Sequence, residues 1–226
     1  MRVYFYIGVL VILLLSVNLK SQQHIRGAFT FGTNLSQVDG DHKYGFKKLG
    51  LHLGPSAIVE FTDMIYFSVE TLYSQMGAYG PRDYIDTIGG VPMTGEYRLK
   101  LDYVKIPILV HIIDKRRVGL AAGFSYGRLV NVKEWEHGLR VPSTSLNSGT
   151  YQKNDWDIIA EIRMRVYQKF WLGLRYSYSL KKIRTRDFYL TSGAYQDTRE
   201  QYNNSLALRL TYVFNDEVPF IQKKKK

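Results

Sequence analysis

The strongest constraint in this chain is a period of two. Along most of its 226 residues, apolar side chains occupy alternate positions with polar or charged ones between them, in stretches of roughly ten residues. Leu49, Leu51, Leu53, Pro55, Ala57, Val59 and Phe61 alternate with His52, Ser56 and Glu60. Trp156, Ile158, Ala160, Ile162, Met164 and Val166 alternate with Asp157, Glu161, Arg163 and Arg165. Ile25–Leu35, Ile65–Gln75, Val118–Val130, Phe170–Leu180 and Ser205–Phe214 repeat the device. Successive side chains of a strand point to opposite faces, so such segments predict strands whose two faces meet different environments.

One segment departs from the rule. Leu99, Leu101 and Tyr103 share one parity, whereas Val104, Ile106, Ile108, Val110 and Ile112 share the other. A flip beside Pro107, which cannot donate to a ladder, predicts a β-bulge near Tyr103–Pro107; a strand buried on both faces is the alternative. The connections alternate in length. Short ones fall near Thr62–Met64, Asp114–Arg117 and Tyr167–Lys169, and long ones near Ser36–Lys48, Gly77–Arg98, Asn131–Asn154 and Lys181–Asn204. Eight strands joined alternately by short and long connections predict an all-β fold. The expected form is an eight-stranded antiparallel transmembrane barrel of the outer membrane, with long outer loops and short periplasmic turns.

A soluble lipocalin-type barrel also alternates, with its apolar face lining a cavity. Two features favour the membrane. The polar face is ionic: Glu60, Glu70, Asp157 and Glu161 share it with Arg163, Arg165, Arg175 and Arg209. These charges can pair across a narrow lumen, whereas the bulky apolar face would overfill a small barrel. Aromatics also gather toward strand ends. Tyr73, Tyr126, Trp156 and Tyr178 lie toward the long loops, and Phe61, Phe67, Phe170, Tyr212 and Phe214 toward the short turns, as two interfacial girdles require. The eight charged residues are therefore expected to plug the lumen, leaving no conducting pore.

The first segment reads as an address. Arg2 precedes an apolar run from Val3 to Val17, and a short polar stretch ends at Ser21. That run is shorter than the roughly 20 residues a membrane-spanning helix needs, so residues 1–21 are expected to be a cleaved signal peptide rather than an anchor. The barrel domain is then 22–214, and 215–226 is a basic periplasmic tail ending in Lys223–Lys226. Both ends are expected on the periplasmic side of a Gram-negative outer membrane.

Little in the sequence points to catalysis. The chain has no cysteine, which removes disulfides, thiolate metal ligands and thiol nucleophiles. No two of the five histidines have metal-ligand spacing. Asp41-His42, or His137 with Ser143 or Ser145, would be the candidates for a membrane-embedded hydrolase, but both sit in turn-rich loops. Gly89–Gly90 lacks the strand–helix setting of a phosphate cradle. The expectation is no enzyme, no cofactor and no metal. The net charge of +11 carries no nucleic-acid motif with it. The loop cations Lys181, Lys182, Arg184 and Arg186 instead suit outer-membrane lipid and the phosphates of lipopolysaccharide.

Several strings together resemble the PorT-like family of small outer-membrane barrels. They are Phe31-Gly-Thr-Asn-Leu-Ser-Gln-Val-Asp-Gly-Asp, Gly45-Phe-Lys-Lys-Leu-Gly-Leu-His-Leu-Gly, Glu70-Thr-Leu-Tyr-Ser-Gln-Met-Gly and Leu101-Asp-Tyr-Val-Lys-Ile-Pro-Ile-Leu. The resemblance is best over Phe31–Ile112. It implies the barrel fold and an accessory role in type IX protein secretion and gliding motility, with other secretion-system proteins as partners. A structural or adhesive barrel without a secretion role is the alternative. The extension beyond Phe214 matches no motif of that family.

Overall fold

The computed structural model describes residues 25–83, 86–88, 91–114, 117–189 and 194–215. The segment 1–21, the tail from 216 onward and Gly89–Gly90 lie outside the described residues. Eight strands form a closed antiparallel ring. They are β1 (Ile25–Asp39), β2 (Lys48–Glu60), β3 (Ile65–Glu70, continuing as Leu72–Gly80) and β4 (Tyr97–Asp114). β5 (Val118–Glu136), β6 (Asn154–Tyr167), β7 (Phe170–Ser179) and β8 (Tyr195–Val213) complete it. The two pieces of β3 keep one register against β2, with Ser56↔Glu70 and His52↔Ser74, and act as one strand. Each strand pairs with its neighbour in sequence, and β8 closes on β1 from Ala28↔Val213 to Asp39↔Tyr202. Among the described residues, closure leaves the ring no open edge strand, which hydrocarbon would penalise by several kcal/mol per orphaned group.

The short connections are tight turns. In the first, Thr62 Oγ1 accepts from the backbone N–H of Ile65 at 2.9 Å. At the opposite end the long connections add structure of their own. Arg184–Tyr189 pairs with the start of β8, Leu139–Arg140 doubles back on β5, and Asp86–Ile88 forms a small ribbon with Val91–Met93.

Over the short-turn half, every strand turns its apolar face outward. Across the ladders the outward residues meet one another: Ile112↔Leu120, Ile108↔Phe124, Phe124↔Ile158 and Leu120↔Ile162. This is the face a bilayer demands. Aromatic clusters bound it at both ends. Tyr126 and Trp156 pair at 5.2 Å toward the long loops, and Phe61–Phe67 at 4.7 Å, Phe170–Tyr212 at 5.1 Å and Tyr212–Phe214 at 5.1 Å pair toward the turns.

The long-loop half inverts this arrangement. There the interior is apolar: Val38, Met76, Leu99, Leu101, Tyr103, Leu129 and Val132 form one buried cluster. The outward positions carry Arg98, Lys100 and Lys133. β4 shows the exchange within one strand. Its odd positions face inward throughout, from Leu99, Leu101 and Tyr103 to Lys105, Pro107, Leu109, His111 and Ile113. Its even positions face outward throughout, from Arg98 to Ile112, apart from the buried Asp102. The change in sequence pattern near Tyr103 is therefore a change of surroundings, not the expected flip of the β4 backbone. A register shift does fall between Asp102 and Tyr103, but the extra residue is Val130 on β5, since Asp102 faces Asn131 and Tyr103 faces Leu129. Further toward the turns β5 passes close against β4, where a Cβ on Gly123 would stand 2.0 Å from the Ile108 carbonyl oxygen.

Candidate functional site

Inward positions of adjacent strands meet in the lumen, so the sequence parity that faces lipid on one side stacks charges on the other. At the middle of the membrane-level half, Arg175 of β7 lies between Glu70 of β3 and Glu161 of β6. Its Nη1 and Nη2 donate to the two oxygens of Glu70 at 2.8 Å each, and its Nε donates to Glu161 Oε2 at 2.7 Å. Arg209 of β8 bridges the same two acids, donating Nη2 to Glu70 Oε2 at 2.9 Å and Nη1 to Glu161. It also donates to Thr30 Oγ1 at 3.2 Å. All four side chains are at most 6% exposed. The planar guanidinium offers a fixed fork of N–H groups to two carboxylates at once, a bidentate geometry that the single ammonium of a lysine lacks.

The other members of the expected set are arranged differently. Asp157 pairs with Lys105 at 2.8 Å rather than with an arginine. Arg163 lies 3.9 Å from Glu161 and stacks over Trp171 at 4.8 Å and Tyr66 at 5.3 Å. Glu60 sits at the turn-end mouth with Arg26 as its partner, away from the four-membered cluster. Arg165 sits at that mouth as well, over Trp171 at 4.7 Å, and donates to the carbonyl of Gln168 at 2.7 Å. Glu60 ends β2 and Arg165 lies two residues before the end of β6, so both line the turn-end mouth of the lumen rather than its middle. Lys105 and Asp155 take the interior places instead. Asp155 accepts from Ser179 Oγ at 2.8 Å and from Asn203 Nδ2 at 2.7 Å. A continuous parity through β4 would have pointed to Lys105, and extending the β6 pattern one step before Trp156 would have pointed to Asp155.

Apolar layers close the lumen above and below the charges. At the turn end, Ile58, Tyr66, Ile113, Trp171 and Val213 pack together. At the long-loop end, the apolar cluster is capped by a polar lid centred on Glu134. That carboxylate accepts from Thr144 Oγ1 at 2.6 Å, Tyr97 OH at 2.8 Å and Arg184 Nη1 at 2.8 Å, with Arg186 Nη1 at 3.4 Å. Arg184 also donates to Tyr151 OH at 2.6 Å, and burial pushes the Tyr151 hydroxyl up to about 12. The expected cluster of four loop cations thus divides: Arg184 and Arg186 turn into the lid, while Lys181 and Lys182 stay outside.

The loop histidines are engaged elsewhere than in hydrolase pairs. His42 Nε2 lies 3.3 Å from Asp197 and its ring packs edge-on against Phe188 at 4.5 Å. Asp41 turns to the backbone N–H of Lys43 at 2.8 Å, and burial raises its carboxyl to about 6. His137 Nδ1 accepts from the backbone N–H groups of Thr94 at 3.2 Å and Gly95 at 3.1 Å, which occupies the lone pair a general base would need. Among the described residues, no three His, Asp or Glu side chains converge to hold a metal ion.

The profile of the family described as "Outer membrane protein beta-barrel domain" matches residues 2–184. No curated protein matches the chain in sequence. Among solved structures, the chain is similar to Ail, the attachment invasion locus protein of Yersinia pestis. Identity is 13%, over 84% of this chain and 98% of that one, with a TM-score of 0.45. It is also similar to Neisserial surface protein A, at 11% identity over 86% and 98% with a TM-score of 0.42. A major outer membrane protein from Thermus thermophilus is similar at 14% identity, over 84% and 99%, with a TM-score of 0.42. Likenesses of this degree say nothing of activity.

Proposed function

The chain belongs to the family of outer membrane protein beta-barrel domains, and from that premise we propose a non-enzymatic, non-conducting barrel that serves type IX protein secretion, and the gliding motility linked to it, as an accessory. The long connections face the cell exterior, and the short turns and both termini face the periplasm. That orientation is supported by the habit of such barrels, whose periplasmic turns are the short ones.

One observation carries the non-conducting reading. The lumen is occupied at successive levels by the Trp171 layer, the Glu70–Glu161–Arg175–Arg209 cluster and the Leu101 cluster, so the work of the molecule belongs to its two ends. The secretion role is supported by the resemblance carried by Leu101-Asp-Tyr-Val-Lys-Ile-Pro and its companion strings. Planar bilayers containing the purified protein should show no stable conductance steps. A deletion strain should lose secretion of many unrelated cargo proteins and its surface spreading together. Normal secretion in that strain would sink the accessory role.

A structural or adhesive barrel without a secretion role is the second reading. The built long-loop end favours it, because Glu134 and its arginines hold two long connections in one place and so present a fixed surface. Loss of surface binding alone in the deletion strain would select this reading.

A further inference from the structure

Two features of the outer wall line up on β6. At its long-loop end, Gln152, Asn154, Trp156, Lys181 and Lys182 line a cleft of about 420 Å³. Arg128, the register partner of Asn154, donates to the Asn154 side-chain oxygen at 2.5 Å beside that cleft. Tyr126 OH donates to the same oxygen at 3.0 Å, and the paired Tyr126 and Trp156 rings mark the level of the bilayer interface. Glu200 holds Lys182 at 2.7 Å. With Arg128 and Lys181 added, cations outnumber acids at this rim.

Further along the same strand, toward the short turns, lies an apolar depression of about 590 Å³ in the lipid-facing wall. Its floor is Ala160 and Ala122, which are direct register partners. Ile162, Leu120, Leu174 and Tyr176 rise around them. Two methyl groups side by side among large side chains leave a trough without interrupting the sheet. On β6 only one outward residue, Ile158, separates the cleft from the trough, and Trp156 to Ala160 spans roughly 13 Å along the strand.

We infer that this column is the seat of one outer-leaflet glycolipid, its phosphate on Lys181, Lys182 and Arg128 and one acyl chain in the Ala122–Ala160 trough. The inference rests on the orientation proposed above, which sets the rim in the outer leaflet. A phosphorylated, multiply acylated glycolipid such as lipopolysaccharide offers an anionic head and hydrocarbon in this order. A zwitterionic phospholipid would bring its own cation against the lysines. A second copy of the barrel docked about a two-fold axis would set like charges face to face.

The test uses the full mature protein in detergent, with native mass spectrometry counting retained lipid. The probes are bisphosphorylated lipid A, its dephosphorylated form and phosphatidylcholine. One bisphosphorylated molecule should stay bound, and retention of the other two should be at least tenfold lower. Lys181→Gln with Lys182→Gln should lower retention of lipid A at least tenfold. Ala160→Phe, which fills the trough and leaves the lysines in place, should do the same. Heat-modifiable migration verifies that each variant is folded. Equal retention of the three lipids, or wild-type retention by the double lysine variant, overturns the site. A dimer that forms instead and is lost in Ala160→Phe overturns it too, in favour of a second copy. Lipid A bound as described while long-loop tags stay inaccessible on whole cells would overturn the orientation instead.

Discussion

The two halves of this barrel solve opposite problems with one backbone. In the membrane-level half the outside is apolar and the inside charged, with Ile108 facing lipid and Arg175 buried at 1% exposure. In the long-loop half the outside is polar and the inside apolar, with Lys100 outward and Leu101 wholly buried. Strand direction, ring closure and side-chain parity run through the junction unchanged on β4. What changes is the solvent on the outer wall. Hydrocarbon rewards apolar side chains pointing out, and the lumen then takes charges that satisfy one another. Water rewards the reverse, and the interior becomes an ordinary hydrophobic core.

The comparison breaks most severely where one charge leaves the lumen. Arg175→Ala removes one of the two arginines that Glu70 and Glu161 share, leaving Arg209 to bridge both, with Arg163 3.9 Å from Glu161. A loss of about 3–5 kcal/mol is expected, as for one member of a buried ion pair. It is read as a lower urea midpoint for the heat-modifiable band in detergent. Glu161→Ala should follow the same direction. An unchanged midpoint would mean that the network is not what holds this half together.

Leu101→Ala tests the other interior. It removes a fully buried side chain from the apolar cluster and should cost about 2–4 kcal/mol. Amide hydrogen exchange should rise on Leu99–Tyr103 and Leu129–Val132, while β4 from Ile106 to Ile112 stays protected. Uniform loss of protection would show that the halves melt as one unit.

The outer wall supplies a matched pair. Ile108→Arg places a cation against hydrocarbon and should cost about 2–3 kcal/mol near the bilayer midplane. Lys100→Leu, on the same face of the same strand, gives up the 3.5 Å contact of Lys100 with Asp102 but places no charge in hydrocarbon, so it should cost less, about 0.5–1 kcal/mol. Equal costs measured by folding into vesicles would remove the boundary between the halves.

The smallest effect is confined to the first long connection. Burial raises the Asp41 carboxyl from 3.8 to about 6, so the folded loop binds a proton more tightly than the open one. Its stability should be full below about pH 4, fall as pH rises toward 6, and stay low above that. Limited proteolysis at Lys43 should therefore quicken between pH 4 and 7, and Asp41→Asn should abolish that dependence.

Much of this barrel is legible in the chain. Alternation such as Trp156 to Val166 marks strands, and the lengths of the connections order them into a ring. Parity alone places Glu70, Glu161, Arg175 and Arg209 inward. It turns Glu60 and Arg165 to the same lumen but cannot set them at its turn-end mouth, because parity says which face a residue takes and not how deep along the strand it sits. It loses Lys105 because Leu101 and Ile106 look like the two faces of a kinked strand when they are one straight strand crossing from water into lipid.

The sequence by itself determined that two-faced strands must close on themselves, since a period of two with no unpaired edge has few other solutions in a membrane. Only the tertiary structure decided which charges meet and where the interior turns apolar. Glu70 lies 105 residues from Arg175 and 139 from Arg209, separations at which no local pattern carries pairing information. The boundary between the two interiors is likewise absent from any one strand. It is set where the ring as a whole leaves the hydrocarbon, and each strand crosses that level at a different point of its own pattern.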